Sequence, residues 1–118
     1  MPCPGHQLTM PAGDEHLAVA RQFYCDVLRL EEIDKPEELR ARGGLWFRSD
    51  SFEVHLSIEE PVATRRHPGL LTDDLAAARA RLARLGVAFE EQPPLGDRDR
   101  IHFLDPFGNR IELLQYRK

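Results

Sequence analysis

Cysteine is scarce in this chain of 118 residues, which has two, Cys3 near the start and Cys25 inside a helical pattern. Two cysteines cannot form the framework of several disulfides that stabilises small secreted domains, and these two form no Cys-x-x-Cys pair for a metal ion. We therefore expect Cys25 to be a small core residue.

Long apolar runs and an excess of positive charge are also missing. Nowhere do eighteen apolar residues follow one another, and no basic stretch leads into an apolar run at the N-terminus, so neither a membrane span nor a signal peptide is predicted. A formal net charge of −4 gives no overall positive field for a phosphate backbone. These absences predict a cytoplasmic protein that binds neither membranes nor nucleic acid.

The residues that are present, 42% hydrophobic and 31% charged, have the composition of one ordinary globular domain. Apolar residues return at three- and four-residue intervals over 12–30, where Asp14 can cap a helix, and over 72–86, where Gly86 stands at the C-terminal cap position. Strand-like stretches lie before the first helix and between the two helices. The candidates in the first half are 5–11, 31–36, 43–49 and 52–60, with a turn or short helix over 38–42.

The order strand, helix and three strands occurs twice in the sequence. When residue 45 is aligned with residue 102, an offset of 57, Trp46 matches Phe103 and His55 matches Glu112. One polar residue in a strand is usually solvent-exposed, but two at equivalent positions of two repeats favour a shared role.

Strand alternation places these two residues on the same kind of face. Val54 and Leu56 share one face of their strand, and His55 lies on the other. Glu112 likewise opposes Ile111 and Leu113. If the apolar faces pack against the helices, His55 and Glu112 line a polar cleft between two curved sheets, whereas Trp46 is expected in the core.

Three segments resemble the vicinal oxygen chelate superfamily, which includes glyoxalase I, extradiol dioxygenases and bleomycin-resistance proteins. They are "RQFYCDVLRLEE", "HPGLLTDDLAAARARLARLGV" and "DPFGNRIELLQ", which cover almost the whole chain together with the repeat. The resemblance implies an α+β fold of two βαβββ modules, with a divalent metal held between concave sheets by residues of their first and last strands. It also implies a homodimer. We expect one domain over 1–118, with module one at 5–60 and module two at 65–117.

Residue by residue, the resemblance implies His55, His67 and Glu112 as metal ligands. Two imidazoles and a carboxylate suit Zn, Ni, Fe, Co or Mn and leave positions open for substrate oxygens. His6 is a further candidate, although alternation places it with Leu8 on the apolar face. Either a bulge turns His6 inward, or the site has three protein ligands and Gln7, which alternation places on the cleft face, lines the cleft.

The function implied is that of a metal-dependent isomerase, lyase or dioxygenase acting on a small oxygen-bearing substrate. Glu112 would be the catalytic base. Candidate substrate-binding residues are Gln7, Arg48, Arg100 and His102. The alternative is a metal-free protein that sequesters a drug or metabolite, as bleomycin-resistance proteins do.

Overall fold

The structure, a computed structural model, describes residues 5–59 and 67–117 and divides the chain into two compact units at residues 63 and 64. Within residues 5–59 the first unit has one α-helix and a four-stranded sheet in the order β1-β4-β3-β2, in which only the β1–β4 pair is parallel. Its elements are β1 (Gly5–Met10), α1 (Asp14–Arg21), a π-helical segment (Gln22–Val27), β2 (Glu31–Ile33), a 3₁₀ helix (Glu37–Arg42), β3 (Leu45–Arg48) and β4 (Glu53–Ile58).

The second unit repeats this topology. Its sheet has the order β5-β8-β7-β6, and only the β5–β8 pair is parallel. The elements are β5 (Gly69–Leu71), α2 (Leu75–Arg84), β6 (Phe89–Leu95), β7 (Arg98–Leu104) and β8 (Arg110–Tyr116). The predicted α+β fold with two βαβββ modules is confirmed.

The two helices begin differently. Asp74 caps α2, since its carboxylate accepts a hydrogen bond from the Ala77 amide at 3.0 Å. In α1 the cap residue is Gly13, so the prediction that Asp14 caps the helix is wrong. Asp14 is the first helical residue, where its negative charge interacts favourably with the helix dipole. Gly86 follows the end of α2 with φ of 76°, a conformation that glycine adopts without strain.

Each sheet packs one face against its own helical layer. In the first unit Tyr24 of the π-helical segment stacks on Phe47 of β3 with ring centroids 5.1 Å apart. Val54 and Leu56 lie on the same buried face. In the described part of the second unit, the large side chains that are fully buried include Leu70, Leu75, Leu82, Ile101 and Ile111. Alternation along the strands leaves the other face of each sheet, here called the open face, for polar residues.

The strand registers correct the alignment between the two repeats. Trp46 lies opposite His55 in the first sheet, and His102 lies opposite Glu112 in the second. The equivalent of Trp46 is therefore His102 and not Phe103, so the uniform offset was wrong for β3 and β7. The cause is the turn before the last strand, which has one more residue over 105–109 than over 49–52.

Among the residues that the structure describes, no helix combines the length and apolar character needed to cross a membrane.

Candidate metal centre

The open face of the second sheet carries a cluster of polar side chains around one carboxylate oxygen. Oε1 of Glu112 lies 2.7 Å from His102 Nε2, 3.0 Å from Arg100 Nη1 and 3.7 Å from His67 Nε2. His102 and Glu112 are directly opposite on β7 and β8, whereas Arg100 is two residues away along β7 and so shares their face. The sheet register therefore places both donors beside Glu112.

His67 reaches the cluster from outside the sheet. It was predicted on the first strand of the second module, but β5 begins at Gly69, two residues later. The intervening Pro68 accepts a hydrogen bond from the Glu112 amide at 3.0 Å, which holds this segment against β8. The His67 ring then meets the His102 ring edge to face, with centroids 4.5 Å apart.

Gly69 leaves room for the carboxylate. A Cβ at this position would lie 3.2 Å from Glu112 Oε2 and 3.1 Å from a methyl carbon of Leu114. Because both distances are shorter than ordinary van der Waals contact, any larger residue would displace the Glu112 side chain or its neighbour.

Glu112 carries its negative charge in a largely buried position, with 11% of its side chain exposed. Burial raises the pKa of a carboxyl group, but the hydrogen bonds from His102 and Arg100 outweigh this effect and hold the pKa of Glu112 below its usual value. The carboxylate is therefore ionised at neutral pH, as a metal ligand must be.

The donor set fits a divalent transition metal. One ligand atom from each of His67, His102 and Glu112 lies within 4.8 Å of the other two. Bonds of about 2.0 to 2.2 Å to nitrogen and oxygen place neighbouring ligand atoms roughly 3 Å apart, so the 2.7 and 3.7 Å contacts to Oε1 bracket the required spacing. Arg100 is unfavourable for metal binding, because it brings a positive charge to the same oxygen.

The first unit holds a different arrangement around His55. Gln7 Nε2 lies 2.9 Å from His55 Nδ1, and Glu53 Oε1 lies 2.8 Å from His55 Nε2. The indole of Trp46 stacks on the imidazole with ring centroids 3.6 Å apart and planes 5° apart. His55 and Gln7 thus share the open face, as alternation predicted, whereas Trp46 was wrongly expected in the core.

His6 lies on the opposite face of its sheet. β1 pairs with β4 residue for residue from Gly5 to Met10, so β1 contains no bulge that would turn His6 toward His55. Its ring instead contacts Phe52 edge to face at 6.2 Å. This position argues against His6 as a partner of His55 in binding an ion.

The arginines named from the sequence have different surroundings. Arg48 is exposed and lies 3.5 Å from Glu31 across the β2–β3 pair. Arg100 contacts Glu112 and also donates to the Pro93 carbonyl at 3.0 Å, while its buried Nε has no hydrogen-bond partner. Of these two, Arg100 belongs to the polar cluster.

The sequence analysis placed His102 among the substrate-binding residues and not among the metal ligands. The available signal was the longer turn over 105–109, which shifts β7 by one residue relative to β3 and brings His102 opposite Glu112. Glu53 beside His55 was also missed, because a charged residue at the start of an exposed strand face is common without any function.

The fold and the cluster define a class: α+β proteins built from a repeated βαβββ module, here with a candidate His/His/Glu metal centre on one open sheet face. Residues 7–113 match the family model of the Glyoxalase/Bleomycin resistance protein/Dioxygenase superfamily. The chain belongs to this superfamily, so the resemblance seen in its sequence is confirmed.

Solved structures agree with this assignment. A glyoxalase-family structure from Bacillus anthracis is 34% identical, with a TM-score of 0.87 over 99% of this chain and 96% of that one. TnmS3, an antibiotic binding protein from Streptomyces sp. CB03234, is 26% identical, with a TM-score of 0.70 over 93% of each chain. Lactoylglutathione lyase from Agrobacterium tumefaciens shares the fold at 21% identity, with a TM-score of 0.70 over 97% and 92% of the two chains. No curated protein matches the chain significantly.

Proposed function

We propose that this protein is a glyoxalase-like metalloenzyme that binds a divalent ion through His67, His102 and Glu112 and acts on a small oxygen-bearing substrate. One observation carries the proposal: a segment before β5 and two neighbouring strands bring two imidazoles and an ionised carboxylate within 4.8 Å of one another on an open face. The chemistry is of the isomerase, lyase or dioxygenase type.

When bound, the ion would polarise substrate oxygens and stabilise negative charge on them. Glu112 is the catalytic residue of the proposal, because a carboxylate in this position can take a proton from a carbon next to those oxygens. Arg100 donates to Oε1, which would also contact the ion, so Oε2, on the Gly69 side, is the oxygen that remains for the proton. Arg100 keeps the carboxylate oriented between turnovers.

Several predictions go with this proposal. His55, on the open face of the first sheet, is a further metal ligand. Gln7 and Arg48 contact the substrate. The chain acts as one domain over 1–118, as a homodimer and in the cytoplasm.

Elemental analysis tests the metal directly. Protein purified without a metal-binding tag is dialysed, and its Zn, Ni, Fe, Co and Mn contents are measured. We expect about one ion per chain, and a loss of most of it in Glu112→Gln and His102→Gln. His16→Gln is the matched control, because His16 lies in α1 and its Nδ1 bonds the Ala12 carbonyl at 2.9 Å. Equal metal content in all four proteins, or none even after soaking, contradicts the proposal.

A metal-free binding protein is the second candidate, and the stacked pair of Trp46 and His55 favours it. Their parallel rings form a flat aromatic surface on the open face of the first sheet, which suits a planar ligand. TnmS3, a similar protein, binds an antibiotic. Trp46 is the single tryptophan, so its fluorescence should change on ligand binding. Saturable quenching by a planar drug in metal-free protein would favour this candidate, and unchanged emission across a drug panel would count against it.

A further inference from the structure

A cavity of about 520 Å³ opens beside the candidate metal centre within the second unit. His102 belongs both to the cavity wall and to the polar cluster. The volume lies in the range of small-molecule sites, which usually combine apolar walls with a few polar groups. The other lining side chains used below are Glu90, Leu104 and Arg110.

The sheet register orders these side chains in two cross-strand rows. Glu90, His102 and Glu112 lie opposite one another on β6, β7 and β8 and form one row. Leu104 and Arg110, opposite each other on β7 and β8, form the next row. Because each row is two residues further along its strand, the rows lie about 7 Å apart on the same face. A compact molecule can therefore reach the polar cluster and Arg110 at the same time.

Arg110 differs from three other arginines of this unit, which pair with carboxylates. Arg79 pairs with Glu91 at 2.7 Å, Arg100 with Glu112 at 3.0 Å, and Arg117 with Asp99 at 2.7 Å. Within the described ranges, the Arg110 guanidinium makes no such ion pair. It is thus a cation in a cavity wall that is available to an anion from solution.

The cavity has opposite charges in its two rows and an apolar surface beside the cation. Glu90 is an acid in the row of His102, so a carboxylate that does not bind the ion is repelled there and attracted at Arg110. Leu104 is 55% exposed next to Arg110, and this exposed apolar surface would contact a hydrocarbon stem.

We propose that this cavity binds the distal carboxylate of a compact organic acid at Arg110, while the oxygens at the other end of that acid reach the metal. This inference rests on the proposed function and adds the substrate class: an acid with an apolar stem of two or three carbons between its oxygen pair and its carboxylate. Arg110 selects the substrate and takes no part in proton transfer.

Two oxo acids with the same chelating end provide the test. 2-Oxoglutarate carries a distal carboxylate, whereas 2-oxopentanoate ends in a methyl group. Calorimetric titration of metal-loaded protein should show that 2-oxoglutarate binds about tenfold more tightly, the effect of one charge-assisted hydrogen-bonded pair. Arg110→Gln should remove the preference, and Arg110→Lys should keep part of it. Arg84→Gln is the matched control, because Arg84 is an exposed arginine in the last turn of α2.

Each outcome decides between the two proposals. A preference that persists in Arg110→Gln, or no binding of either acid, overturns the inference. The same titrations in metal-free protein separate it from the proposed function, because Arg110 is not a metal ligand. If no ion binds but a preference that depends on Arg110 remains at lower affinity, the metal proposal fails and the anion site stands. If the ion binds but neither acid is preferred, the anion site at Arg110 fails and the metal proposal stands.

Discussion

Arg100 should weaken metal binding, although it contacts the ligand carboxylate. Its Nη1 lies 3.0 Å from Glu112 Oε1, the oxygen that would also contact the ion. An ion bonded to this oxygen at about 2.1 Å would lie roughly 5 to 6 Å from the centre of the guanidinium group. Coulomb repulsion between a divalent ion and one positive charge at that distance is about 1.5 kcal/mol in water and about 6 kcal/mol at an effective dielectric constant near 20.

The side chain of Arg100 is 19% exposed, so the repulsion falls between these limits. Loss of the hydrogen bond that orients Glu112 opposes it by about 1 kcal/mol. The net gain is then about 0.5 to 5 kcal/mol, so we expect Arg100→Met to bind the ion at least about twofold more tightly than the wild type, since 1.4 kcal/mol corresponds to a factor of ten. The long methionine side chain fills part of the vacated volume without a charge.

Competition with a chromophoric chelator measures the affinity for Zn²⁺ or Co²⁺ in both proteins at one ionic strength. Arg117→Met is the matched control, because Arg117 pairs with Asp99 and not with the cluster. Its affinity should equal that of the wild type. Weaker or unchanged binding by Arg100→Met would refute the reasoning, because it would mean that Arg100 supports the ion or that its charge is not felt there.

Three further predictions concern single residues. Asp105→Ala should lower the free energy of unfolding by about 2 to 4 kcal/mol, because the buried carboxylate accepts backbone hydrogen bonds of 2.8 and 2.9 Å in the turn before β8. Urea denaturation measures this change, and a loss below about 1 kcal/mol would contradict it. Gly69→Ala should weaken metal binding about tenfold or more by displacing Glu112, and unchanged affinity would show that the carboxylate can move freely. Burial raises the pKa of the Cys25 thiol, so in a Cys3→Ser background Cys25 should be alkylated more slowly at pH 8 than a free thiol, and an equal rate would contradict the shift.

Much of the fold was predictable because hydrophobic periodicity is a local property. The alternation around His55 and Glu112 placed both on the open faces of their sheets, and the pattern over 72–86 located α2 with its glycine at the C-terminal end. The first helix was less predictable from the sequence. Its apolar spacing does not distinguish an α-helix from the π-helical segment at Gln22–Val27, where the helix widens to bury Phe23, Tyr24 and Val27.

The site was only partly predictable, because it depends on register between strands. A fixed repeat offset matched His55 to Glu112 correctly but placed Phe103, and not His102, at the position of Trp46. One extra residue in the 105–109 turn reverses the faces of β7 relative to that alignment. Hydrogen-bond partners such as Glu53 and Arg100 follow from that register and from side-chain rotamers, which a sequence pattern does not specify.

The central claim is that His102 joins His67 and Glu112 in holding a divalent ion, and anomalous diffraction from a Co²⁺-loaded crystal tests it most directly. The account predicts one strong peak about 2.0 to 2.3 Å from His67 Nε2, His102 Nε2 and a carboxylate oxygen of Glu112. A peak bound by other residues, with the His102 imidazole still hydrogen-bonded to Glu112 and away from the ion, would contradict it.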